Sequence, residues 1–332
     1  CDRAAGGWRW CLMRLAIVGT GTVGSSVAEL AGEYGHTVTA MANVEAATID
    51  PDGVDVDAAL ERQHEGERHL GEADPEDTLD AEYDVLVEAT PVTLGDAQPG
   101  FGHLKDALER GRHVVVANKG PMAERYGEVM ALAEESAGEV RFEATVAGAI
   151  PVLSTVEDYG PGTITAVRGV LNGTANFILS RMAAEGLGYE HVLAEAQDLG
   201  VAEADPAFDV EGTDAALKCV ILGNVLAVGD REYALADATV DGIESIPPSA
   251  LELAREDGRT IRLIGEVTGG EIRVGPRLVS EQADLAPSGT RNTVQLETEN
   301  AGRLNLSGRG AGGPETATAV LADIAQLGSR GP

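Results

Sequence analysis

The densest concentration of reactive side chains in the chain is Ala196–Asn224, AQDLGVAEADPAFDVEGTDAALKCVILGN. Glu203, Asp205, Asp209, Glu211 and Asp214 fall within twelve residues, and Lys218 follows. Pro206 and Gly212 interrupt helix, which predicts a turn over Glu203–Asp209 ahead of a long helix, Gly212–Val228. On that helix Asp214 and Lys218 stand at i and i+4, on one face. An exposed pair at this spacing contributes only about 0.2–0.5 kcal/mol and signals no chemistry. The continuation, ALKCVILGNVLAV, is apolar almost all round, which places Lys218 partly in the interior. A partly buried ammonium among carboxylates can deliver a proton, and the carboxylates suit a cationic amino group on a substrate. Metal binding by the same acids is the competing use.

A second site is written in glycine. Gly19-Thr20-Gly21-Thr22-Val23-Gly24 is GxGxxG, directly after the strand RLAIV and directly before a helical pattern. That context identifies a dinucleotide-binding turn. Gly19 permits the tight turn, Gly21 lets backbone approach a pyrophosphate, and Gly24 allows close helix–strand packing. The helix N-terminus supplies unpaired N–H groups for the phosphates. The second strand ends at Asn43, where an acid would bind the ribose hydroxyls of NAD, and no arginine stands nearby for a 2′-phosphate. NADP and NAD therefore both stay open. Thr90 in EATP and Lys119 in VANKGP each follow a strand, at the sheet edge that faces the cofactor. The chain has only three lysines among its 24 basic residues, so a lysine at that edge is more informative than usual.

Positioning these residues requires a parallel sheet. Strand patterns at RLAIV, His36–Ala42, Asp84–Glu88 and His113–Ala117 alternate with helical ones at Thr22–Glu33, Phe101–Arg110 and Met122–Ser136. The acidic stretch Asp52–Asp84, with 13 carboxylates and a short helix near Val56–Gln63, is expected as a solvated surface insertion. Beyond Val140–Thr145 come a strand at Ile164–Leu171, helices near Ala175–Ala184 and His191–Leu199, and the long helix. Strand-like runs at Ile261–Val267, Glu271–Val279, Thr293–Glu297 and Gly302–Ser307 complete an α+β block, and ETATAVLADIAQL is a final helix.

The 332 residues suffice for two domains. A formal charge of −31 excludes bulk electrostatic binding of nucleic acid or of an anionic membrane surface. With 43% hydrophobic residues in ordered blocks, the chain is a folded protein. An acidic, lysine-poor surface points to a halophile's cytoplasmic protein, held soluble in concentrated salt. Three cysteines without metal-like spacing point to a reducing compartment, and no apolar run reaches the roughly 20 residues of a membrane span. Residues 1–12 are expected as a disordered extension rather than a signal peptide.

The motifs GTGTVG, EATP, VANKGPMA, EATVAGAIPV, GVLNGTANFIL and AQDLGVAEADPAFDVEGTDAALK resemble, in order, those of homoserine dehydrogenases. The resemblance covers nearly the whole of Met13–Gly328. It implies reversible reduction of L-aspartate 4-semialdehyde to L-homoserine with NADPH or NADH, in a homodimer. It also implies a Rossmann-type NAD(P)-binding domain with a parallel sheet at 13–148 and an α+β catalytic and dimerisation domain with a mixed sheet at 149–307. A segment at 308–328 returns to the nucleotide-binding domain, and neither a regulatory ACT domain nor a kinase fusion is expected. By the same resemblance Lys218 is the proton donor, Lys119 a second catalytic lysine beside the nicotinamide, and Glu203, Asp209 and Asp214 bind substrate. Thr90, Gly312 and the fingerprint residues contact the cofactor. Glu143, with backbone carbonyls at Val146, Gly148 and Ile150, resembles a monovalent-cation site for sodium or potassium, as hard oxygen donors suit. Ala147 and Ala149 depart from glycines there. Two other readings compete: a non-catalytic NAD(P)-binding redox sensor, and a dehydrogenase for another amino-acid-derived aldehyde, which would need a cysteine nucleophile.

Overall fold

The computed structural model describes residues 12–67, 69–227 and 231–328. The expectation for residues 1–12 therefore falls, Leu12 apart, outside the described residues, as does Val228 at the end of the long helix. The chain divides into two compact units, Cys1–Gly148 with Gly312–Pro332, and Ala149–Ala311.

The first unit runs β1 (Arg14–Val18), α1 (Thr22–Ala31), β2 (Thr37–Ala42), β3 (Ala47–Ile49), α2 (Val56–Arg62), β4 (Val85–Glu88), α3 (Gly100–Glu109), β5 (His113–Val116), α4 (Lys119–Glu124), α5 (Tyr126–Glu135), β6 (Val140–Arg141) and α6 (Ala144–Ala147). Its sheet has the order β3-β2-β1-β4-β5-β6, parallel except for the edge strand β3. The order reverses at β1, so the crevice beyond the C-terminal ends of β1 and β4 is where such a sheet binds nucleotides. Strands buried on both faces need continuous apolar runs, and Leu15, Ile17, Val85, Val87 and Val115 supply them.

Two expectations are corrected here. The single helix predicted over Met122–Ser136 is two helices, because Arg125 leaves helical geometry (φ −136°, ψ 30°). Its guanidinium lies 3.8 Å from the centre of the Phe101 ring and donates to the Asp96 carbonyl at 3.2 Å. The acidic stretch is not merely a surface coat: Ala59, Leu60 and Leu70 are buried in the core of this unit. Counting its carboxylates hid the few apolar positions that anchor it.

The second unit runs α7 (Val152–Tyr159), β7 (Ile164–Val170), α8 (Gly173–Glu185), α9 (Tyr189–Asp198), α10 (Ala207–Val210), α11 (Thr213–Leu226), β8 (Ala238–Val240), α12 (Pro248–Glu256), β9 (Arg259–Thr268), β10 (Glu271–Ser280), β11 (Arg291–Thr298) and β12 (Arg303–Arg309). Its mixed sheet has the order β12-β11-β7-β9-β10-β8, antiparallel apart from the β8–β10 pair. The apolar helix α11 lies against β9 and β10. Gly265 makes this close approach possible, since a Cβ there would fall 2.4 Å from the Cys219 sulfur. After β12 the chain rejoins the first unit as α13 (Gly313–Gln326), packed on α1.

Candidate active site

In the first unit the three fingerprint glycines meet different demands. Gly19 has φ +97°, and a Cβ on it would lie 2.5 Å from the Ala89 carbonyl group beyond β4. A Cβ on Gly24 would lie 1.9 Å from the Gly19 oxygen, so α1 can begin this close to the turn only with glycine there. Around Gly21 nothing stands within 4 Å, which leaves its backbone open to a ligand. No side chain caps α1 and its first turn carries no acid, so Thr22 and Val23 stand in an uncapped, electropositive first turn. An open glycine beside an uncapped N-terminus fits a pyrophosphate.

Thr20 is held by a residue that sequence reasoning missed. Gln63, just after α2, donates from Nε2 to the Thr20 carbonyl at 2.8 Å, and its Oε1 accepts from the Thr20 hydroxyl at 2.6 Å. The same Oε1 accepts from Asn43 Nδ2 at 3.3 Å, while Asn43 Oδ1 accepts from the Glu45 and Ala46 amides at 2.8 and 2.9 Å. The acidic insertion thus braces the fingerprint turn against the end of β2. Gly312 (φ +122°) opens α13, and a Cβ on the adjacent Gly313 would sit 2.5 Å from Ser26 Oγ. The returning segment therefore meets the first turns of α1.

Thr90 donates from both its amide and its hydroxyl to Oε1 of Glu88, a fully buried carboxylate. Asn118 Nδ2 donates to the Thr90 hydroxyl at 3.1 Å, and Asn118 Oδ1 caps α4 by accepting from Gly120 N at 2.9 Å. Lys119, half-buried, is the first residue of that helix. Glu88 and Asn118 were the missed members here, and the signal was a polar residue closing or following an otherwise apolar strand. In the Glu143 loop, the Glu143 amide donates to Asp323 Oδ2 at 2.8 Å. Burial, reinforced by the Glu143 charge, pushes the Asp323 carboxyl up to about 7. Val146 and Gly148 lie in the same buried stretch, and Ile150 belongs to the second unit.

The second unit gathers Lys218, Asp214 and Asp209. Lys218 Nζ donates to Asp214 Oδ2 and to the Leu171 carbonyl, both at 2.7 Å, and the side chains of Lys218 and Asp214 are each 9% exposed. An ammonium has three donors, so the third N–H of Lys218 has no acceptor among the described residues. Asp214 Oδ2 also accepts from Asn172 Nδ2 at 2.9 Å, and the same amide donates to Asp209 Oδ1 at 2.7 Å. Asn172 was overlooked inside the GVLNGTANFIL motif; its signal was an asparagine between a strand and a helix, an N-cap position. Glu203 is exposed, and no hydrogen bond joins its carboxylate to this group among the described residues. Nor do the described residues contain a group of three or more His, Cys, Asp or Glu able to hold a metal ion. Cys219 is fully enclosed, and burial pushes its thiol up to about 12. Such a thiol is not a nucleophile at neutral pH, which removes Cys219 as the nucleophile of the cysteine-dependent alternative; Cys1 and Cys11 lie outside the described residues.

A Rossmann-type unit with an intact dinucleotide turn, joined to a mixed-sheet unit that presents a buried ammonium, defines an NAD(P)-dependent oxidoreductase. The homoserine dehydrogenase profile matches residues 151–325, and that of the homoserine dehydrogenase NAD-binding domain matches residues 19–143. The chain belongs to the homoserine dehydrogenase family, whose enzymes act on a CH–OH group. It is 38% identical to the homoserine dehydrogenase of Methanocaldococcus jannaschii, with 95% of this chain and 98% of that protein covered. It is 40% identical to an NAD(+)-dependent homoserine dehydrogenase of Pseudomonas canavaninivorans, over 74% of this chain and 70% of that one. Among solved structures, the Archaeoglobus fulgidus protein assigned as a homoserine dehydrogenase superposes with a TM-score of 0.88 at 41% identity, covering 95% of this chain and 99% of that one. A hyperthermophilic archaeal homoserine dehydrogenase in complex with NADPH gives 0.83 at 29% identity, covering 97% and 99%.

Proposed function

We propose that the chain interconverts L-aspartate 4-semialdehyde and L-homoserine with Lys218 as the proton donor. The observation that carries this reading is the buried Lys218 ammonium, two of whose N–H groups are spent on Asp214 and Leu171 while the third has no acceptor among the described residues. Bound NADPH or NADH supplies the hydride to the aldehyde carbon. Gly19, Thr20, Gly21, Thr22, Val23 and Gly24 hold the cofactor, together with Thr90, Lys119 and Gly312. The new alkoxide oxygen takes a proton from the third N–H of Lys218, which returns to its charged form by uptake of a proton from water. An ammonium at hydrogen-bonding distance also stabilises the oxyanion as it forms. Glu203, Asp209 and Asp214 form the carboxylate set for the substrate's amino group, and Asp214 also holds Lys218 in place. Lys119 assists beside the nicotinamide.

Neutral amides at Asn43 and Gln63 neither repel a 2′-phosphate nor bind one by charge, which supports use of both cofactors. Glu143 and the carbonyls of Val146, Gly148 and Ile150 are hard oxygen donors, the chemistry a sodium or potassium ion requires. The enzyme works as a homodimer in the cytoplasm of a halophile; the net charge of −31 supports the halophile part of this reading. Absorbance at 340 nm with homoserine and either NADP or NAD, in low and high salt, tests the activity, and light scattering tests the dimer. No absorbance change in any combination refutes the activity.

A further inference from the structure

We propose that Asn172 is a positioning residue for proton transfer, orienting Asp214 and through it the Lys218 ammonium. The proposal rests on Lys218 being the proton donor. Asn172 ends the segment leaving β7 and is the N-cap of α8, where its Oδ1 accepts from Ala175 N at 2.8 Å. That bond fixes which end of the amide is oxygen, because a backbone N–H can only donate. Nδ2 must then face the acids, and its two protons are divided between Asp209 Oδ1 at 2.7 Å and Asp214 Oδ2 at 2.9 Å. Asn172 is itself 5% exposed, so these bonds form with little competition from water.

The consequence is geometric. Leu171 contributes its carbonyl and Asn172 its side chain, so two consecutive residues hold both the ammonium and the carboxylate that pairs with it. With Asp214 Oδ2 pinned by Asn172, Lys218 has two fixed acceptors, and tetrahedral geometry then sets the direction of its third N–H. Asn172 also places one neutral donor between two carboxylates on successive helices, α10 and α11. Without it, Asp214 Oδ2 loses a buried donor that helps fix its orientation, and the direction of the donated proton spreads over more geometries.

Asn172→Ser separates this role from folding, because serine still caps α8 but is too short to bridge the two acids. Asn172→Ala removes both functions and reports the cost of the cap. Expected for Asn172→Ser are a fall in kcat of at least tenfold, cofactor KM within twofold of wild type, and a larger solvent deuterium isotope effect on kcat as proton transfer becomes limiting. Its Tm should lie closer to wild type than that of Asn172→Ala. Unchanged kcat and isotope effect in Asn172→Ser would overturn the proposal, as would a fall in kcat without a larger isotope effect. Lys218→Ala, assayed alongside, distinguishes the two levels. If Lys218→Ala is inactive and Asn172→Ser is normal, the positioning role fails alone; if Lys218→Ala keeps its kcat, the proton-donor reading fails and this proposal with it.

Discussion

Replacing Lys218 by methionine keeps most of the side chain's volume and removes only its charge and its hydrogen bonds. Both side chains of the Lys218–Asp214 pair are 9% exposed, so the substitution removes the cation that pairs with Asp214 in the interior. Breaking a buried pair in this way costs about 3–5 kcal/mol. Asn172 retains its bond to Asp214 Oδ2, which favours the lower end of that range. For a unit the size of Ala149–Ala311, about 3 kcal/mol corresponds to a fall in Tm of roughly 6–12 °C. Loss of the general acid should lower kcat by about 10²–10⁴. The cofactor should still bind, because its contacts are on the first unit.

The control is Lys218→Met with Asp214→Leu. Replacing both partners of a buried pair by apolar groups is often neutral or stabilising, so the double variant should melt above the single one. Asn172 then loses one acceptor, which keeps the recovery incomplete by about 1–3 kcal/mol. Activity should stay as low as in the single variant. Calorimetry and a 340 nm assay on the same preparations measure both quantities. The energetic reasoning is wrong if the double variant melts no higher than Lys218→Met, and the chemical reasoning is wrong if Lys218→Met retains kcat.

Gln63→Ala removes two hydrogen bonds to Thr20, each contributing about 0.5–1.5 kcal/mol, and should raise the cofactor Kd by about fivefold or more with kcat unchanged, as cofactor titration would show. Asp84 is raised by burial, but its hydrogen bonds from Arg14 outweigh this and hold the carboxyl below the usual 3.8. Its stabilising contribution is therefore present above about pH 4 and lost as pH falls through the lowered value; Asp84→Asn should flatten the acid limb of Tm against pH. With a net charge of −31, Tm and activity should both rise with salt, as screening relieves self-repulsion; a Tm independent of salt from dilute buffer upward would refute the halophile reading and leave the catalytic one intact.

The fold was largely legible because its signals are local. Apolar runs of strand length between helical patterns marked β1, β2, β4 and β5, and glycine spacing marked the turn between β1 and α1. The strand β3 is only three residues long, and the nine-residue helix α12 opens on Pro248 directly after Pro247, so neither stood out from loop sequence. Met122–Ser136 was read as one helix because its pattern is continuous; the break at Arg125 comes from a side chain drawn to Phe101 and Asp96, both distant in sequence.

The same division runs through the site. Sequence alone determined the dinucleotide turn and the Asp214–Lys218 pair, because a six-residue turn and an i, i+4 spacing are set by backbone geometry that neighbouring residues share. Tertiary structure decided that Gln63 braces Thr20 across 43 residues and that Asn172 joins Asp209 to Asp214 across 37 and 42. It also decided that Gly313 meets α1 although it lies nearly 300 positions away. Such meetings depend on how helices and sheets pack, and no local period records which polar side chain will be enclosed beside another.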